Sequence, residues 1–175
     1  MSSLEHFVTD INLEKKDAIP KQTKDYITSV KGNVDYTSHI LSLPGNSYIV
    51  EKKKKPSFFG ADKGYKSTNA IVFEYGIFFI GDGAIWKVIW FEKIITLEGE
   101  DNGNIINIET TDNRYIFRNP SQTKLWNKFS CDIYTSIIHC PAGRFNFEID
   151  IPCKVSGGRR TTKRSKKSKR RTRRS

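Results

Sequence analysis

The chain has 175 residues, 37% of them hydrophobic, and a formal net charge of +11. That length suits one domain with a real core and is short for two. No run of about 18 apolar residues reads as a membrane-spanning helix, and the opening MSSLEHFVTDINLEKKD lacks the apolar stretch of a secretory signal. The expectation is a chain that is neither secreted nor transmembrane.

Residues 1–34 are mostly polar and read as an N-terminal arm or lead-in. Within it a short helix fits 21–30, and Phe7, Ile11 and Tyr26 are the apolar anchors available if the arm packs. Residues 35–153 then form the folding unit. Strand patterns recur at 36–43, 47–53, 70–74, 77–80, 84–90, 93–98, 104–109 and 114–118, rich in β-branched and aromatic residues. Pro44-Gly45, Gly81-Asp82-Gly83 and Asp101-Asn102-Gly103 punctuate them as turns. Short strands joined by tight turns favour antiparallel pairing, because parallel pairs need longer crossovers.

The period changes after Pro120. Leu125, Phe129, Ile133 and Ile137 recur every four residues, with Trp126 beside them, which predicts an amphipathic helix over about 121–138. Ser121 can cap it, or Pro120 can occupy its first turn. Pro141 to Gly143 closes it. Residues 144–151 alternate, with Phe145, Phe147, Ile149 and Ile151 on one side, and read as an extra strand that pairs with an open edge or with another subunit. One helix after a set of short strands can cover the open end of a bent sheet. The fold class is therefore mainly β: a small antiparallel barrel or bent sandwich of about seven strands, capped by one C-terminal helix.

Residues 70–80 (AIVFEYGIFFI), 85–95 (IWKVIWFEKII) and 106–117 (INIETTDNRYIF), followed by the helix with Trp126, carry a resemblance to a known family. In order and pattern the stretch 47–138 resembles the pleckstrin-homology-like superfold, particularly its GRAM-like branch. The extra strand at 144–151 departs from the minimal pattern of that family. The resemblance implies a non-enzymatic adaptor. It also implies that basic residues in the loop between the first two strands can hold an anionic lipid headgroup. Here those residues are Lys52, Lys53, Lys54 and Lys55, then Lys63 and Lys66, with Phe58 and Phe59 able to enter a membrane interface. Without the resemblance, the same run reads as a charged strand end that protects a sheet edge.

The tail, 154–175, begins at Lys154 and holds twelve Lys or Arg residues and no acid. The remainder of the chain has 18 basic against 19 acidic residues, so the body is close to neutral. Val155 is its one apolar residue, so the tail cannot build a core and is expected to be disordered. Arg159, Arg160, Lys163, Arg164, Lys166, Lys167, Lys169, Arg170, Arg171, Arg173 and Arg174 are the candidate nucleic-acid contacts. Binding of this kind is phosphate neutralisation, with steep salt dependence and little sequence preference. A localisation signal and an acidic-lipid ligand use the same composition. The tail resembles the basic arms of large-DNA-virus proteins, which implies a virion or another nucleoprotein particle, a nuclear setting, or otherwise the cytoplasm.

No catalytic set, metal site or cofactor site is expected. His6, His39 and His139 lie in unrelated segments, and Gly81-Asp82-Gly83 lacks the Gly-Lys-Ser/Thr of a phosphate loop. Trp86 and Trp90 share a strand face as barrel core or as an aromatic patch for a partner. Cys131, Cys140 and Cys153 are odd in number, match no metal-ligand spacing and are expected as free thiols in a reducing compartment. Two functions follow. One is a structural or adaptor protein that docks to a protein assembly, or to itself, through the β domain and holds nucleic acid through the tail. The alternative is a peripheral membrane adaptor that uses the lysine loop.

Overall fold

The computed structural model describes residues 2–6, 18–54, 64–81, 84–120 and 124–153, with the side chains of Ser2, His6 and 84–86 excepted. A short β1 (Ser2–Ser3) leads into a 3-10 turn, helix α1 (Lys21–Lys31) and helix α2 (Tyr36–Leu41). Four strands follow as an antiparallel meander: β2 (Pro44–Lys53), β3 (Tyr65–Phe73), β4 (Gly76–Gly81) and β5 (Ala84–Trp90). A second meander consists of β6 (Ile94–Glu100), β7 (Ile105–Thr110) and β8 (Arg114–Arg118). Helix α3 (Leu125–Ile138) and a two-residue β9 (Ile149–Asp150) complete the described residues.

The strand order is β5-β4-β3-β2-β8-β7-β6-β9, with β1 added to β2. Among the described residues the two meanders pair where Glu51 meets Arg118 and Lys52 meets Phe117. The sheet is thus bent and unclosed, mainly β with one C-terminal helix, as the sequence pattern implied. Phe79 and Phe117 stack across the interior with ring centroids 4.8 Å apart, tying one meander to the other. Tyr48, Phe129 and Trp126 form a second aromatic chain, at 5.3 and 5.4 Å, that seats α3 on the sheet. Gly76 is needed at the β4–β5 pairing, because a Cβ there would lie 2.4 Å from the Ile89 carbonyl oxygen.

Both faces of the sheet are buried over residues 70–73 of β3, 76–80 of β4 and 88–90 of β5. Ala70, Val72, Ile77, Phe79 and Ile89 face the interior, while Ile71, Phe73, Phe78, Val88 and Trp90 alternate onto the other side. Phe73 stacks on Phe78 at 4.6 Å and meets Trp90 edge-on at 5.9 Å. The N-terminal residues join this outer layer. Leu4, Ile19, Ile27 and Ile40 are buried in the same apolar cluster, and Tyr26 approaches Tyr75 at 6.5 Å. Helix α1 lacks a side-chain cap of its own, since Pro20 occupies the N-cap. Glu92 supplies one from the β5–β6 corner: its carboxylate accepts from the Gln22 and Thr23 backbone N–H groups, each at 3.2 Å. Gln22 in turn donates to the Ala142 carbonyl at 2.6 Å. The helix expected at 21–30 is present, packed against the domain. Tyr26 is only partly buried; Phe7 and Ile11 lie outside the described residues.

Four expectations are corrected. Residues 36–43 do not form a strand: Asp35 accepts from the Thr37 N–H at 3.0 Å and the Ser38 hydroxyl at 2.8 Å, which caps helix α2. Residues 144–151 pair only at Ile149–Asp150, and they pair parallel to β6, since the return from α3 runs in the direction of β6. Leu125 is 60% exposed, so the α3 stripe consists of Trp126, Phe129, Ile133 and Ile137. Cys131 and Cys153 are joined as a disulfide, with their Cα atoms 4.6 Å apart, leaving Cys140 as the buried free thiol. The approach depends on Pro152, which packs against Gly103 so closely that a Cβ there would lie 2.2 Å from its ring. Spacing along the chain gives no sign of that turn.

Candidate functional site

The functional residues expected in the β2–β3 loop meet at the mouth of the bent sheet. Alternation along β2 puts Tyr48, Val50 and Lys52 on the inward face, with Ile49 and Glu51 outward. On β3, Thr68 pairs with Val50 and Lys66 with Lys52. Two lysines therefore sit directly opposite each other on one face of an antiparallel pair. Like charges in that relation destabilise a sheet.

The lysines border an open cleft of about 300 Å³ lined by Lys52, Lys53, Lys54, Lys66, Ser67, Thr68 and Gly81. Among these described lining residues four are lysines and none is acidic. Thr68 donates its hydroxyl to the Ile80 carbonyl at 3.2 Å, which ties the floor to β4. The Lys52 ammonium lies over the Tyr115 ring, 5.5 Å from its centroid, as a cation–π contact. The Lys54 N–H donates to the Gly64 carbonyl at 3.0 Å and closes the base of the loop that follows. Gly64 has φ +63°, a conformation that suits glycine at this crossing.

The nearest acid on β2, Glu51, is turned away. It pairs with Arg118, whose guanidinium stacks 3.9 Å over the Tyr65 ring on the outward side. That arrangement keeps a carboxylate out of the cleft. This outward cluster was not anticipated from sequence. The Glu51–Arg118 register depends on how two distant hairpins meet, which no local pattern states.

Several sequence candidates fall elsewhere. Lys55, Lys63, Phe58 and Phe59 lie outside the described residues, as do Asp82, Gly83 and Ser121. The whole tail from Lys154, including every candidate nucleic-acid contact from Arg159 to Arg174, also lies outside them. Trp90 is core, 1% exposed, while the Trp86 side chain is not described. His6, His39 and His139 sit on separate elements. Among the described residues no group of three or more His, Cys, Asp or Glu could hold a metal ion, and no helix is long and apolar enough to cross a membrane.

No family model matches the sequence, and no curated protein matches it. Among solved structures the chain is similar to the N-terminal PH domain of human ARAP2, at 14% identity and TM-score 0.41, over 53% of this chain and 77% of that one. It is also similar to two structures of the exchange factor Vav1. One, concerned with the PH and C1 domains, gives 11% identity and TM-score 0.43 over 70% of this chain; the other, autoinhibited Vav1, gives 8% and 0.40 over 71%. This chain spans 34% and 23% of those two. This chain's own strand order is a four-strand meander joined to a three-strand meander and followed by one helix.

Proposed function

We propose that the protein is a non-enzymatic docking module whose β domain holds a phosphate-bearing lipid headgroup in the lysine cleft. The observation that carries this reading is the opposition of Lys52 and Lys66 on the inward face of β2 and β3. A phosphate between them converts a mutual repulsion into two attractions, and none of the described lining residues is acidic. The tail adds a sequence-insensitive pull toward the same surface. Each Lys or Arg near an anionic leaflet contributes about 1 kcal/mol within a Debye length.

The test is vesicle co-sedimentation of the full chain over a salt series, using phosphatidylcholine, phosphatidylserine and phosphoinositide vesicles. Wild type should prefer phosphoinositide over phosphatidylserine at equal surface charge. Lys52→Ala with Lys66→Ala should remove that preference and leave a weaker, salt-sensitive binding. Ending the chain at residue 153 should lower affinity for every anionic vesicle and keep the preference. If the double variant binds and discriminates as well as wild type, the cleft is not the site.

A second reading has its own observation, the twelve basic residues of 154–175. In it the tail holds nucleic acid while the β domain docks to a protein assembly. That reading expects duplex DNA or single-stranded RNA to be bound with a steep salt slope that disappears when the tail is removed. Nucleic acid retained near physiological salt, together with indifference to vesicles, would place it first.

A further inference from the structure

The Cys131–Cys153 bridge stands at the junction between the domain and the basic tail, since Lys154 follows it directly. Both cysteines are half-buried, whereas Cys140 is buried, 8% exposed. Other contacts bring the segment to this place. The Ser130 hydroxyl donates to the Pro152 carbonyl at 2.6 Å, and Pro152 packs against Gly99 and Gly103. Ile151 is buried in the core, 8% exposed, and beyond it those contacts and the bridge hold residues 152–153. A strand of two residues is a frayed end by itself. The bridge is the covalent restraint on residue 153, directly before the tail.

We propose that Cys131–Cys153 is a thiol–disulfide exchange site that fixes the root of the basic tail on helix α3 and releases it on reduction. The reductant is an external dithiol. One of its thiolates attacks the bridge, the Sγ–Sγ bond breaks, and a mixed disulfide forms with one cysteine while the other leaves as a thiolate and takes up a proton. The second sulfur of the dithiol then displaces the remaining cysteine and leaves as part of an intramolecular disulfide. Two electrons and two protons end on Cys131 and Cys153. Oxidised, the chain presents its tail charge from a fixed point on α3; reduced, the tail gains the length of the freed root. This inference goes beyond the lipid reading and does not depend on it.

The experiment is native thiol labelling with mass analysis, combined with amide hydrogen exchange on the full chain. Without reductant, oxidised protein should label at no cysteine. After dithiothreitol in native buffer, Cys131 and Cys153 should label while Cys140 stays protected. Exchange over 149–153 should then rise by about tenfold or more, with β4 unchanged. Cys153→Ser should show the reduced pattern without reductant. Should that variant fail to fold, reduction of the wild type carries the test, with β4 protection reporting the intact core. Labelling of Cys131 and Cys153 before reduction would overturn the proposal. So would a bridge that opens only when β4 loses protection, or exchange over 149–153 that ignores reduction.

Discussion

The two meanders of the sheet differ in what lies behind them. In β6, β7 and β8 one face is core, with Leu97, Ile106, Ile108 and Phe117 fully buried, and the other carries exposed Glu98, Glu109, Arg114 and Arg118. Over residues 70–73 of β3 and 88–90 of β5 both faces are buried, and β4 is buried along its length from Gly76 to Ile80. A strand with water behind it alternates, whereas a strand covered on both sides is apolar throughout. The N-terminal residues are therefore part of the structure of the first meander, which would otherwise expose a broad aromatic surface.

The contrast can be broken most directly at Phe78, which faces the outer layer and is 0% exposed. Phe78→Ala should destabilise by about 3–5 kcal/mol in chemical denaturation. Ile95→Ala, at a site 49% exposed in the second meander, should stay within about 0.5 kcal/mol. Equal costs at the two sites would refute a covered first meander.

A pH titration sharpens the same boundary. Burial pushes the Cys140 thiol up to about 11, with the Glu74 and Glu92 carboxylates adding to the rise. Its folded pKa lies above its unfolded value, so the neutral thiol contributes stability that is full below pH 9 and is lost as pH rises toward 11. The loss should reach about 2 kcal/mol and should vanish in Cys140→Ala. Burial also raises Tyr48 and Tyr75, which extends the decline above 10. A stability curve flat across that window would mean that the thiol is solvated.

Glu92→Gln tests the tether between the layers. It weakens the carboxylate cap on Gln22 and Thr23 and should cost about 1–2 kcal/mol. Hydrogen exchange should rise first in α1 while β6, β7 and β8 are undisturbed. The smallest effect belongs to the cleft. Lys66→Ala removes the like-charge opposition to Lys52 and should stabilise the fold by a few tenths to about 1 kcal/mol, while weakening phosphoinositide binding. A variant that loses stability as well as binding would show Lys66 to be structural.

Much of this was legible in the sequence. Strand alternation, turn residues and the four-residue period of α3 are local signals, so the elements and the bent-sheet class follow from them. The lysine cluster was visible, yet its opposition across β2 and β3 was not, because register is settled by how far the hairpin zips. The continuous apolar runs at 70–73 and 77–80 read as short strands and not as strands covered on both sides, because polar residues in the N-terminal segment concealed the second cover. Helix α2 was hidden by Tyr36, Thr37 and Ile40, which favour strands until Asp35 caps them. The Cys131–Cys153 pairing depends on Pro152 folding back against Gly103, a tertiary event with no signature along the chain.

The hydrogen bond from Lys54 to Gly64 continues the β2–β3 ladder one step past Lys53 and Tyr65. It closes a gate at the foot of residues 55–63, so the number of residues above the gate does not set the pairing below it. Doubling such a loop adds only about 0.6 kcal/mol of closure entropy. For protein engineering this marks an insertion point, because the β2–β3 register up to Lys53 and Tyr65 is held by the strand pairing itself.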